Sequence, residues 1–189
     1  MRFVVISALL ACSHSTQPAT TPAAPAPAPA SSAAPAAPAA SPGLAPQLFT
    51  VEQLRAGNPK GRTIEIRMEA DGKPTTIEHW VFTAVDADQA TIHAITRDEA
   101  GKVISDAVGT STWAELHKHG QFPAAATTID DNVSITVPAG TFTTRLYTVK
   151  TGEATRRVWF AADLPGPPVQ FTTEQGGKVV LRAQMLRAR

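Results

Sequence analysis

Only one cysteine occurs in these 189 residues, Cys12, so no disulfide framework can staple the chain. Long apolar runs are missing as well. The stretch from Phe3 to Leu10 counts eight residues, against the roughly 20 that a membrane-spanning helix needs, and no other stretch would span. Neither sign of charge dominates: 17 basic and 16 acidic side chains leave a net charge of +1, which excludes the strongly basic face of a nucleic-acid binder. The motif G-x-S-x-G, which places a hydrolase serine on a strained turn, is absent too.

What is there divides the chain in two. Residues 13–46 are almost entirely Ala, Pro, Ser and Thr, with nine of the 16 prolines and no charged side chain. Such a segment carries too little large apolar surface to offset its conformational entropy, and its prolines favour extended geometry, so it is expected to be a disordered tether. At about 3.1 Å per residue it reaches on the order of 100 Å when fully extended. From Gln47 onward charges, aromatics and β-branched residues appear together, and residues 47–189 are enough for one domain with a real core.

The dominant period in that domain is two, the mark of strands with one buried face. Ile64, Ile66 and Met68 alternate with charged residues up to a turn at Asp71-Gly72. Further strands are expected at Thr76 to Val85, Ala90 to Arg97, Val103 to Val108, Val133 to Val137, Thr141 to Lys150, Ala154 to Ala162, Val169 to Glu174 and Lys178 to Leu186. Asp130-Asp131-Asn132, Thr151-Gly152 and Gln175-Gly176-Gly177 supply turn chemistry between them, and Pro165-Gly166-Pro167-Pro168 reads as a loop. Two capping boxes, Thr50 with Gln53 and Thr112 with Glu115, open short helices that should close near Gly57 and at a C-cap glycine, Gly120. The fold class expected is α+β: a predominantly antiparallel, curved sheet of about nine strands with two short helices.

Two resemblances add to this. Arg2, the apolar run and Leu9-Leu10-Ala11-Cys12 resemble a bacterial lipoprotein signal. The resemblance implies a signal peptide over 1–11, a lipidated Cys12 opening the tether of 12–46, and an extracytoplasmic, lipid-anchored domain over 47–189. With Cys12 acylated, no thiol is left for a metal site or a nucleophile. Two buried acyl chains, at about 0.8 kcal/mol per methylene, make release slow. Ser13, being no aspartate, is compatible with the periplasmic side of the outer membrane in a host with two membranes. The second resemblance rests on Val137-Pro-Ala-Gly-Thr-Phe142, Tyr147, Arg157-Val-Trp-Phe160 and Leu164-Pro165. It is similar to extracytoplasmic "VPAGTF" domains of unknown function and to the LolA/LolB-like half-barrel superfamily, which implies a curved half-barrel and cargo binding.

Candidate chemistry is sparse. His117-Lys118-His119, with His79 or His93, is the best metal candidate, but residues two apart on a helix diverge, and cationic groups at a helix C-terminus are favourable without a ligand. Ser105, Ser111 and Ser134 are the only serines after the tether, and Asp130 and Asp131 are adjacent turn residues. No catalytic residue, metal or cofactor is expected. Arg156 and Arg157 face opposite ways in one strand, so at most one points inward, where it would suit an anionic head group; the reading preferred is an outward edge charge that blocks aggregation. Trp80, Phe82, Trp113, Tyr147 and Trp159 are the residues expected to contact an acyl chain or a partner segment, if the sheet encloses a groove.

The reading is a non-enzymatic, membrane-tethered envelope lipoprotein that binds a lipid or another apolar ligand; the alternatives are a protein-interaction module of the envelope and, third, a metal-dependent enzyme. Radiolabelled palmitate is expected to enter the protein in its native host and to be lost in Cys12→Ser; an unlabelled wild-type protein contradicts the anchor.

Overall fold

The computed structural model describes residues 43–189; Cys12, the signal segment of 1–11 and the tether up to residue 42 lie outside the described residues. Within them two antiparallel meanders are joined into one sheet. The first comprises β1 (Thr63–Ala70), β2 (Thr76–Val85), β3 (Gln89–Asp98) and β4 (Val103–Thr112), and the second β5 (Thr127–Val137), β6 (Gly140–Thr151), β7 (Ala154–Ala161), β8 (Gln170–Gln175) and β9 (Lys178–Ala188). Their order is β4-β3-β2-β1-β9-β8-β7-β6-β5, so the first strand pairs with the last and the edges are β4 and β5. The sheet is open, curved and antiparallel, and the fold is mostly β. Five of its eight ladders carry a register shift. Each such irregularity bends a strand and raises its twist.

Helix α1 (Val51–Gly57) precedes the sheet, and α2 (Trp113–Lys118), followed by a 3₁₀ turn at Ala124–Ala126, connects β4 to β5. Both capping boxes form: Thr50 accepts from the Gln53 backbone and Thr112 from that of Glu115, while the Gln53 and Glu115 side chains reach back to the caps. These reciprocal bonds satisfy amides that a short helix cannot satisfy itself. One ending differs from the sequence expectation. Gly120 is not the cap of α2, whose C-cap is His119 in right-handed helical conformation. Gly57 is the last residue of α1 and Asn58 its C-cap. Gly57 is required by contact, not by backbone angle, because a Cβ there would stand 2.7 Å from Cβ of Pro165.

The strand assignments hold in number and place, with one change of kind. Asp130, Asp131 and Asn132 form no turn; they lie inside β5, whose register against β6 shifts between Asp130 and Val133, with Asn132 at φ 59°. Asparagine is one of the few residues that takes this left-handed region readily. The chain also joins the domain earlier than composition indicates. Leu44 bridges to Pro123, Ala45 is buried, and the Ala45 amide donates to the Phe122 carbonyl at 2.9 Å.

The core follows from ladder register, since residues opposite each other share a face. Ile64 opposes Trp80, Ile66 opposes Met185, Phe171 opposes both Ala183 and Val158, and Val158 opposes Tyr147. This inner face runs from β2 to β6 and packs against the helices. The Val137-Pro-Ala-Gly turn has its own part: Gly140 at φ 140° lets the β5–β6 hairpin close, and the Ala139 amide donates to the Met185 carbonyl at 3.1 Å, bringing buried Val137 onto β9.

Gly57→Ala is expected to lower the unfolding free energy by about 1–3 kcal/mol through overpacking against Pro165, read as a lower urea midpoint at unchanged slope. Gly109→Ala, where nothing lies within 4 Å, is the matched control and should change little.

Candidate ligand-binding cavity

A cavity of about 640 Å³ lies between the inner face and the helices. The wall from the first meander is Ile66, Met68, Trp80, Phe82 and Ile92, and the wall from the second is Tyr147, Val158, Phe160 and Phe171. Leu54, Trp113 and Leu116 reach it from the helices, Leu48 and Phe49 from the entering chain, and Pro167 and Pro168 from the loop after β7. The lining is therefore overwhelmingly apolar. Glu78, Asn58, Gln47, His117, His119 and Arg156 are its polar side chains.

The walls are fixed by hydrogen bonds made at their backs. Trp113, buried and stacked parallel to Phe82 with ring centres 6.5 Å apart, donates its indole N–H to the Asp86 carbonyl at 3.1 Å. The Asp86 carboxylate in turn accepts from the amides of Asp88 and Gln89, both at 2.8 Å, which holds its pKa below the usual range. On the opposite wall Tyr147 lies between Phe122 at 5.1 Å and Phe160 at 5.8 Å, the latter edge-on. Its hydroxyl donates to the Pro46 carbonyl at 2.8 Å. Burial pushes the Tyr147 phenol above its ordinary pKa, against the opposing pull of Arg145. Arg145 is itself held charged, first of all by its bonds to Asp131 at 2.6 and 3.3 Å. The entering chain is clamped to α2, with Gln47 donating to the His117 carbonyl at 2.9 Å and His117 Nε2 lying 2.8 Å from the Phe49 carbonyl.

Four of the five aromatics singled out in the sequence, Trp80, Phe82, Trp113 and Tyr147, border this one cavity. Trp159 does not. It opposes Leu146 and Gln170 on the side of β7 away from the cavity, where it is half-buried and packs against the core, because its neighbours Val158 and Phe160 take the cavity-facing positions. His117 and His119 both border the cavity, and His117 is half-buried rather than a free helix-end side chain. His79 and His93 lie on the outer face, opposite Glu65 and Val108, and His93 Nε2 stands 2.7 Å from Asp106. Among the described residues no three His, Cys, Asp or Glu side chains gather as a metal site would require. Ser105, Ser111 and Ser134 stand on β4 and β5. Of the arginine pair, Arg157 faces outward and pairs with Glu174, while Arg156 borders the cavity, on a strand that is interior to the sheet and not an edge.

Sequence reasoning missed Met68, Leu116, Phe160 and Phe171 as wall residues. The alternation Arg156-Val158-Phe160 carried the signal for one of them; Phe171, in a six-residue strand, had no such period to mark it.

An open, curved antiparallel sheet with two short helices over a cavity on its inner face is the class of structure this defines. No family model and no curated protein matches the sequence. Among solved structures, the chain is similar to the crystal structure of MucB at 11% identity and a TM-score of 0.45, over 74% of this chain and 56% of that one. The chain thus spans little more than half the length of that protein.

Tyr147 is the only tyrosine, so a spectrophotometric titration reads it alone. Its ionisation is expected above the ordinary value near 10. With the folded pKa raised, its contribution to stability is complete below the unfolded pKa and is lost as pH rises through the folded one. Ionisation at or below the free-phenol value contradicts the burial.

Proposed function

We propose that this chain is a non-enzymatic lipoprotein of the bacterial cell envelope, anchored through acylated Cys12, whose folded domain binds an apolar ligand such as an acyl chain. In a host with two membranes its place is the periplasmic side of the outer membrane. The observation that carries the reading is the cavity, whose volume falls within the roughly 300–1,000 Å³ usual for small-molecule sites and whose walls are aromatic and aliphatic. Binding would be driven by removal of apolar surface from water, worth about 25 cal/mol per Å². Trp80, Phe82, Trp113 and Tyr147 act as contact surface. Trp80 is half-buried and offers its surface directly, whereas Phe82, Trp113 and Tyr147 are almost wholly buried and back the wall.

A second reading, a protein-interaction module, is favoured by one observation. The edge strand β4 is exposed along nearly its whole length and presents Val103, Ile104 and Val108 to solvent, 49%, 58% and 67% exposed. An unguarded edge of this kind can accept a partner's strand.

Native mass spectrometry of the purified protein, with added long-chain lipid, distinguishes the two. A bound lipid is expected, and Trp80→Ala should weaken its binding by about tenfold or more, the order of what a lost aromatic contact costs. Absence of any bound lipid, together with capture of an envelope protein that Val108→Lys abolishes, favours the second reading.

A further inference from the structure

We infer that the cavity selects a single-chain amphiphile with an anionic head, and that Arg156 is the residue that recognises the head. The inference rests on the apolar-ligand reading above and adds to it the chemistry of the ligand's polar end. Along β7 the inward side chains are Phe160, Val158 and Arg156 in turn. Phe160 lies at the helix end of the cavity, its ring 3.8 Å from the position a Cβ on Gly120 would occupy, and Val158 is buried. Arg156 is exposed, two residues from the start of the strand at Ala154. Two residues of strand cover about 6.6 Å, so one wall changes from wholly apolar to cationic over roughly 13 Å. A chain lying along this wall with its tail toward α2 brings its head to the guanidinium.

Arg156 is also prepared for the task. Its guanidinium lies over the Phe171 ring, 5.3 Å from the centroid, which restrains it without using its N–H donors. Among the described residues it forms no ion pair, whereas Arg67, Arg145, Arg157 and Arg187 each have a carboxylate. Its ladder neighbours are Val149 and Thr173, neither of them charged. The one carboxylate bordering the cavity, Glu78, stands on β2, four ladder spacings of about 4.8 Å away along the sheet. The two histidines bordering it belong to the α2 end. A planar fork of donors with no partner of its own matches a carboxylate or a phosphate monoester bidentately.

The test titrates delipidated protein, by calorimetry and tryptophan fluorescence, with palmitate, hexadecyl phosphate, hexadecanol and hexadecyltrimethylammonium, all as monomers, and with inorganic phosphate. Wild type is expected to bind the two anionic amphiphiles at least about tenfold tighter than hexadecanol, and the cationic one no better than hexadecanol. Arg156→Gln should erase that preference by bringing affinity for the two anionic chains down to that for hexadecanol, and Arg156→Lys should keep part of it. Equal affinity for anionic and neutral chains in wild type, or a preference that survives Arg156→Gln, overturns this inference and leaves the apolar site standing. Binding of inorganic phosphate as tight as hexadecyl phosphate overturns it in favour of a free-anion site. If no amphiphile binds at all, the apolar-ligand reading fails, and this one with it.

Discussion

The pairing of β1 with β9 is the constraint on which the rest depends. It joins strands at opposite ends of the domain, from Ile64 against Ala188 to Ala70 against Leu181, and beyond its end Thr63 and Arg189 exchange both backbone bonds at 2.9 Å. Without it there would be two smaller sheets, each with an additional open edge. The two walls of the cavity belong to different meanders, so this one ladder also brings Trp80 and Ile66 to face the same space as Val158 and Phe171. Met185 and Ile64, both fully buried, fill the seam. Since the ladder spans more than a hundred residues of sequence, its loop-closure entropy is met late in folding, and only inner-face burial can offset it.

The helices and the entering chain complete the enclosure, and their bonds fix the buried rings behind it. Trp113 is tied at its nitrogen to the Asp86 turn, Tyr147 at its oxygen to Pro46, and His117 at Nε2 to Phe49. Each of these carbonyls belongs to irregular chain that would otherwise have no ladder partner, so each bond satisfies two groups at once. The result is a set of large, almost wholly buried side chains that backs the cavity, with half-buried Trp80, Phe160 and Phe171 in front.

Much of this was legible locally. Strand period, turn residues and both capping boxes depend on side chains within a few positions of each other, and all nine strands and both helices lie where those signals place them. What was not legible is what depends on distant chain. Nothing near Ile66 announces Met185 as its partner. Trp159 and Phe160 are adjacent aromatics, and parity alone does not say which alternation meets the cavity, since Val158 and Ala161 are both buried, one on each side; only the register against β6 and β8 sets Val158 beside Tyr147 and Phe171, and Trp159 beside Leu146 and Gln170. Asp130-Asp131-Asn132 has the composition of a turn and becomes a bulge because β6 runs past it: Arg145 takes up Asp131, and the buried Thr144 hydroxyl donates to the Val133 carbonyl at 2.7 Å.

Two buried polar side chains hold the loop beside the cavity. Arg62 is 7% exposed and has no carboxylate partner among the described residues; it donates instead to the carbonyls of Gly57 and Pro165, and burial lowers its pKa. Asn58, almost fully buried, donates to Leu54 and to the same Pro165 carbonyl, at 2.6 and 3.2 Å. An apolar pair at these positions would remove the donors that hold the Pro165 carbonyl and with it the loop that carries Pro167 and Pro168. Prolines cannot hold a loop by donating from their own backbone, so the donors must come from elsewhere, and α1 with the segment after it supplies them. The burial of Asn58 and Arg62 is thus tied to the position of the loop that forms one side of the cavity.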